Sequence, residues 1–492
     1  MEKIKGIFLN LTSNYLVRCF YFYKGADKVE ISEKAKTSNQ MEDVGFRREI
    51  SLFGGISILG GIMVGSGIFY LGSYVLMRTN MTPGLALLSW IIGGIVSLLG
   101  GICYAELGAA NPKAGGLTVY LSNAYSPLVG FMAGFNNWLI GGPGSIAAIA
   151  VALPSALTAI IPIGKGTIKI IAIVLIIFLT TINYFGVKSA SKLQNLSMIG
   201  KLIPIGIIMI LGLVFGKESP DLSLIPKGEN VSLSSIISII AFATVASLWA
   251  YEGWTNLNTV AEELKETQKN LPLALVISIS SITLLYTLFN YSIYKVIPMD
   301  TIHDLIDSGE FYLGTYAAQS LLGNAGGLLV VAGMVIAMFN ALNGCILAFP
   351  RMYYAMSKEG NFFESFKKLH PKYQVPSSAL IVQAIISIGL VLLRNLDQLT
   401  SLVVFSGMLF NTLGVFAVII YRRKYPKMER PYKVIAYPIT VIITTLIFIG
   451  LMINTFIEDP QTSIVGLIIP LIGILFYMYF NHKNKSVKNF RG

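Results

Sequence analysis

The chain has 492 residues, 54% of them hydrophobic and only 13% charged, with a mean hydropathy of +0.68. Soluble globular chains carry about a quarter charged residues, so this composition excludes a soluble domain and places the chain in a lipid bilayer. The net charge of +12 would suit a nucleic-acid binder, but the placement of the cations, below, makes it an orientation signal instead.

The first residues, MEKIKGIFLNLTSNYLVRCFYFY, start basic, and their apolar run is broken by Asn10, Thr12, Ser13 and Asn14. A cleaved leader is therefore not expected, and residues 1–48 read as a cytosolic tail. A membrane-crossing helix needs about 20 apolar residues. On that basis twelve spans are predicted, at 49–78, 84–107, 127–155, 168–187, 191–216, 233–264, 272–297, 325–356, 376–394, 399–421, 433–456 and 462–481. Of the 37 lysines and arginines, 29 fall in segments that are cytosolic if the N-terminus is. Seven fall on the opposite side, counting those at span ends with the adjoining segment, and Lys201 alone sits near the middle of a span. The positive-inside rule thus predicts both termini in the cytosol, and no nucleic-acid partner is expected. Residues 482–492 form a second cytosolic tail.

The layout repeats. Spans 1–5, residues 49–216, and spans 6–10, within 217–421, match in organisation. Five is odd, so the second set has inverted topology; spans 11 and 12, within 422–481, follow. Spans 1 and 6 are long, and each carries a glycine-containing interruption. Such interruptions at corresponding places in inverted halves point to a binding site near the midplane.

In span 1 the interruption is Gly65-Ser66-Gly67, within IMVGSGIFY. Glycine costs a helix about 1 kcal/mol relative to alanine. Gly61 and Gly65 also make a small-xxx-small pair suited to close helix packing, so packing and unwinding are both open readings of the motif. If the helix unwinds, the N–H groups of Ser66 and Gly67 head a new half-helix and suit a carboxylate. In span 6, Glu252-Gly253 interrupts LWAYEGWTNLNTVAEEL. The carbonyls around Trp249 and Ala250 would then be free acceptors, suited to an ammonium group. Donors at one break and acceptors at the other describe a receptor for a zwitterion.

Five motifs carry a family resemblance: GSGIF at 65–69, YAELGAANPKAGG at 104–116, WAYEGWTNLNTVAEEL at 249–264, NLPLAL at 270–275 and FPRMYYAMSKEG at 349–360. Together, over residues 46–482, the chain resembles the amino acid–polyamine–organocation superfamily, and within it the L-type amino acid transporters, the light chains of heteromeric amino acid transporters. The resemblance implies an all-α, twelve-span LeuT-like fold of two five-helix inverted repeats, discontinuous at helices 1 and 6. It implies alternating access and a substrate-binding set of Met63, Gly65, Ser66, Gly67, Ile68, Trp249, Ala250, Glu252, Gly253 and Thr255. In that set the substrate carboxylate meets Ser66 and Gly67, and its amine meets carbonyls of Met63, Trp249 and Glu252. Trp249 takes the family's aromatic gate position. Thr255 stands where many relatives have asparagine.

Lys201 lies about ten residues from either end of span 5, too deep to reach an interface, and an unpaired charge there costs several kcal/mol. In sodium-coupled proteins of the implied fold a sodium ion ties helix 1 to the scaffold; a helix-5 lysine takes that place in the resembling family, and Lys201 matches it. A permanently charged Lys201 makes transport sodium-independent, whereas a titrating one couples it to protons. Glu252 stands where many relatives have a small residue and cation-accepting ones an aspartate. Recognition of a basic substrate side chain and an internal salt bridge are both open readings of it. Asn340, Asn343 and Asn411 are candidate linings of the site, although such amides more often hydrogen-bond between helices. Glu106 is read as bracing the loop at 108–116.

The expected function is a sodium-independent exchanger of neutral and, through Glu252, cationic L-amino acids; the alternative is a proton-coupled symporter of the same fold. No enzyme is expected, because His303, His370 and His482 fall in loops or a tail and no catalytic set converges. No cofactor or metal is expected either, since Cys19, Cys103 and Cys345 are far apart. Light chains of the family bond a heavy chain through a cysteine in the loop between helices 3 and 4. Here that loop, TAIIPIGKGTIK, has none, so a disulfide-linked heavy chain is not expected; non-covalent association and self-association stay open. The plasma membrane is the expected location, and Asn230-Val231-Ser232 is a sequon on the outer side.

Overall fold

The computed structural model describes residues 50–65, 67–111, 116–185, 190–226, 232–358, 360, 362–373 and 375–489. The expected tail at 1–48, Ser66 and Asn230 lie outside them.

Thirteen long helices carry the described body: α1 (Leu52–Met63), α2 (Gly67–Arg78), α3 (Pro83–Ala110), α4 (Pro127–Ala156), α5 (Lys165–Tyr184), α6 (Ala190–Phe215), α7 (Leu233–Tyr251), α8 (Thr267–Val296), α9 (Leu313–Lys358), α10 (Ser377–Leu393), α11 (Leu396–Lys424), α12 (Ile439–Glu458) and α13 (Pro460–Asn489). Their starts follow local chemistry. Pro83 and Pro127 occupy the first helical turn, where a missing N–H costs nothing. Ser51 and Ser232 cap α1 and α7 through their side chains, and Asn395 with Gln398 forms a reciprocal capping box on α11. No sheet occurs among the described residues, only one isolated β-bridge between Ile50 and Leu264.

Nine of these helices are long and apolar enough to cross a membrane, and ten spans result if the bent pair α1 and α2 counts as one. The remaining two predicted spans fall on shorter apolar helices, residues 201–215 of α6 and the 17-residue α10. At 1.5 Å per residue α10 is about 25 Å long, short of a typical hydrocarbon core. The break expected within predicted span 6 is present, whereas one boundary and two short helices differ from expectation. Predicted span 6 ends as an α-helix at Tyr251, because Gly253 follows with φ 113°. Predicted span 8 begins earlier, at Leu313, and is kinked at Gly323, where φ is 68°. Two short helices, Leu117–Ala124 and Met299–Asp307, fall in segments read as connections.

α3 lies against both α7 and α8. Its glycines make this approach: Gly93 faces Ser247 and Tyr251 of α7, while Gly94 and Gly101 face Thr283 and Ile279 of α8. This packing brings the ends of α1 and α7 together.

Candidate functional site

The first break separates α1 from α2, whose axes differ by 53°. Val64 N still donates to Gly60 O, at 3.1 Å, but Gly65 N turns back to Met63 O, at 2.8 Å, and the α-helical ladder stops. Gly67 opens α2. The second break follows Tyr251. Glu252 is extended, with φ −59° and ψ 139°, and Gly253 takes a positive φ that only glycine adopts without strain. The chain then tightens into a 3-10 helix over Trp254–Glu263.

The two breaks touch. A Cβ placed on Gly67 would lie 3.0 Å from Ala250 Cα, and one placed on Gly253 would collide with the Ile62 side chain. The Tyr286 hydroxyl of α8 lies 2.7 Å from Met63 O and 3.0 Å from Ala250 O, one carbonyl from each break. A phenol has one proton to donate, so two acceptors share it. Tyr286 is buried, its ring held by Trp90 at 5.4 Å and Tyr251 at 5.3 Å between centroids. Sequence reading missed Tyr286. The available signal was general: a tyrosine in an apolar span must find an acceptor for its hydroxyl.

Lys201 is 6% exposed, and its Nζ donates to Gly61 O at 2.5 Å. Gly61 is in the last turn of α1, where carbonyls lack helical partners and the helix dipole is negative. The ammonium thus meets a backbone carbonyl at a helix terminus.

Of the expected substrate set, Met63, Ile68, Trp249, Ala250, Gly67 and Gly253 are buried, whereas Gly65, Glu252 and Thr255 are partly exposed. Ser66 lies outside the described residues. Asn343 Oδ1 accepts from Asn183 Nδ2 at 2.7 Å, and Asn411 Oδ1 accepts from the Tyr104 hydroxyl at 3.1 Å, so both amides join helices. Asn340 is buried, and its Oδ1 has no hydrogen-bond partner among the described residues.

Two ion-pair clusters flank this centre. At the end of α2, Arg78 donates to Asp397 Oδ1 at 2.9 Å, Ser401 Oγ at 2.9 Å and Phe242 O at 3.1 Å, and stacks 4.0 Å over the Phe242 ring. It joins α2 and α7 to the start of α11. Near the end of α3, the Glu106 carboxylate, 3% exposed, takes a bidentate pair from Arg422 at 2.8 and 2.7 Å and the Val434 N–H at 2.7 Å. Arg430 stands 3.7 Å away. Beside this cluster, in the connection between α11 and α12, burial pushes the Tyr432 phenol up to about 12. Residues 112–115 of the loop that Glu106 was expected to brace lie outside the described residues; among the described ones its bonds go to the far end of α11 and the connection beyond it. Sequence alone placed the arginines at span ends but not which carboxylate each would meet.

A family model described as amino acid permease matches residues 50–479. The chain is 32% identical over 447 residues to the serine/threonine exchanger SteT of Bacillus subtilis (strain 168), covering 90% of this chain and 99% of that one. It is 29% identical over 470 residues to the b(0,+)-type amino acid transporter 1 of Homo sapiens, covering 93% of each. It is also 29% identical over 471 residues to the large neutral amino acids transporter small subunit 2 of Mus musculus, covering 94% of this chain and 87% of that one.

Proposed function

The chain belongs to the amino acid permease family, whose relatives above are transporters and not enzymes, and from that premise we propose a sodium-independent exchanger of L-amino acids that works by alternating access at the two helix breaks. The observation that carries this reading is the Tyr286 hydroxyl set against Met63 O and Ala250 O. One weak donor serves two carbonyls at the point where a substrate ammonium, with three donors, would serve them better. The opposite pole of the substrate, its carboxylate, meets the N–H groups of Ser66 and Gly67 at the positive end of α2.

Lys201 supports sodium independence, since its ammonium already occupies the carbonyl-rich end of α1. Glu252, partly exposed beside Gly253, supports acceptance of a basic substrate side chain. The Arg78 cluster closes the path at the α2 end, and Trp249 covers the bound substrate from the same end. A cycle follows: substrate bridges the breaks, satisfies their backbone groups and permits closure, while the empty site resists closure and so enforces exchange. In this reading α6 and α10 cross the membrane with the other ten spans. Both termini face the cytosol, the two halves form an inverted repeat, and the plasma membrane is the site of action. Any partner binds without an external disulfide.

Purified protein in liposomes tests this. Labelled amino acids should enter vesicles preloaded with unlabelled amino acid and not empty ones, at the same rate in sodium and choline buffers. Uptake into empty vesicles driven by an imposed pH gradient would establish the symporter instead, and no uptake of any amino acid would refute both.

A further inference from the structure

We propose that the connection between α6 and α7 is a membrane anchor, with the Leu222, Leu224 and Ile225 side chains inserted where lipid headgroups meet acyl chains. The proposal needs only that the helices around it cross a bilayer; it is independent of what the protein carries. The connection is held at a level where three long helices end. α6 ends at Phe215, α8 ends at Val296, and α3 starts at Pro83. Glu218 N donates to Lys295 O at 2.9 Å, and Lys295 Nζ donates to Leu213 O at 3.0 Å, so the chain leaving α6 is tied to the end of α8. Gly84, in the first turn of α3, has no room for a Cβ, because the Leu222 and Ser223 carbonyls stand where it would be. Residues 222 and 223 therefore lie level with the start of α3. Apolar spanning helices end where hydrocarbon gives way to headgroups, and that sets the depth of these residues.

The polar groups of the segment bond to its own backbone. Asp221 Oδ1 accepts from Ser223 N at 2.9 Å, and the Ser223 hydroxyl lies 3.1 Å from Ile225 N and 3.2 Å from Ile225 O. Such side-chain turns hold the backbone in one conformation. Leu222, Leu224 and Ile225 are left about half exposed. Three large apolar side chains offered on an ordered connection are unfavourable in water and mark an interaction surface. The flanking surface indicates what covers it. Val214 and Phe215 at the end of α6 and Leu233 and Ile237 at the start of α7 are exposed on apolar helices, so the patch continues a lipid-facing surface on both sides. The exposed charges beside it are Lys217, Glu218 and Asp221, one positive and two negative. That balance gives no attraction to anionic headgroups, so the partner is the acyl boundary of an ordinary zwitterionic bilayer, held by apolar burial. The anchor ties the connection between α6, which carries Lys201, and α7, which leads into the second break, to the bilayer surface.

Spin labels test this. L222C, L224C and I225C are each made in a chain whose Cys19, Cys103 and Cys345 are alanine, labelled with a nitroxide and placed in phosphatidylcholine vesicles. Oxygen concentrates among acyl chains and a nickel chelate in water, so the ratio of their collision rates with the label reads its depth. Two further labels calibrate the scale: D304C, exposed on the short helix Met299–Asp307, and L284C, exposed near the middle of α8. All three anchor positions should show a ratio at least about threefold above that of D304C and below that of L284C. Ratios equal to that of D304C would place the connection in water and overturn the proposal. Low collision rates with both reagents would mean that protein covers the patch, and would overturn it too. Should the cysteine-free chain fail to fold, the unaltered chain is used in phosphatidylcholine vesicles doped with a lipid that carries a photoreactive diazirine next to its headgroup. Peptides containing residues 221–225 should then carry the lipid label; peptides of α8 labelled without them would be the contrary result.

Discussion

Tyr286 donates one proton to two backbone carbonyls, and this under-satisfaction defines its role. In the proposed reading it stands in for an ammonium in the empty site and competes with one when substrate binds. Tyr286→Phe removes the competitor and leaves Met63 O and Ala250 O unmet in the empty state. Such buried groups cost about 1–3 kcal/mol each when unsatisfied. The variant should therefore bind substrate more tightly and release it more slowly, with KM for exchange lower by about fivefold and maximal rate reduced in step. Concentration dependence of exchange in liposomes measures both; a raised KM would contradict the competition. Glu252 makes a separate prediction. Glu252→Gln keeps the shape and removes the charge, so uptake of arginine or lysine should fall about tenfold more than uptake of leucine. Equal losses, or none, would remove cation recognition from this residue. The breaks themselves were legible in sequence because glycine and a charge are conspicuous in an apolar helix. Tyr286, Lys201's choice of Gly61, and the particular partners of Asn343 and Asn411 were not, because each depends on which helix lies opposite.

At the scale of elements, α11 is held at both ends by ion pairs of unequal strength. Glu106 is nearly dry and takes three close hydrogen bonds from Arg422 and Val434. Asp397, 35% exposed, takes one from Arg78. Exposed pairs contribute about 1 kcal/mol or less, whereas breaking a buried one costs several. The Arg78 pair, with Arg78 8% and Asp397 35% exposed, is the less buried of the two, and in the proposed cycle it is the latch that opens while the Glu106 end holds. Asp397→Asn should favour conformations open at the α2 end. A cysteine at the neighbouring Tyr74 should then react several-fold faster with a membrane-impermeant maleimide than in the parent background; an unchanged rate would contradict the latch. Helix existence was readable from hydropathy at nearly every span. Helix ends were less so: the start of α9 at Leu313 lies outside the apolar run, and the α-helical end of α7 at Tyr251 is fixed by the positive φ of Gly253 rather than by polarity.

For the whole molecule, the sidedness of lysine and arginine is the ground for the proposed orientation: 29 lie on the side assigned to the cytosol and 7 on the other. Reporter fusions at the N-terminus and after residue 492 should both report cytosolic location, and a fusion in the loop at 158–169 the opposite face. A split result for the two termini would require an odd number of crossings and overturn the twelve-span arrangement. Composition alone was enough to place the chain in a membrane, and motif order to place it in its family. The sequence placed the two breaks near each other; the contacts that join them, through Gly67, Gly253 and Tyr286, needed coordinates.

The account turns on backbone groups at two broken helices holding the charged ends of one amino acid. A high-resolution structure of the protein with bound substrate tests this most directly. It should show the substrate carboxylate within hydrogen-bonding distance of the Ser66 and Gly67 N–H groups, and the ammonium on Met63 O and Ala250 O with the Tyr286 hydroxyl displaced. An amino acid seated elsewhere, with Tyr286 still bridging both carbonyls, would contradict it.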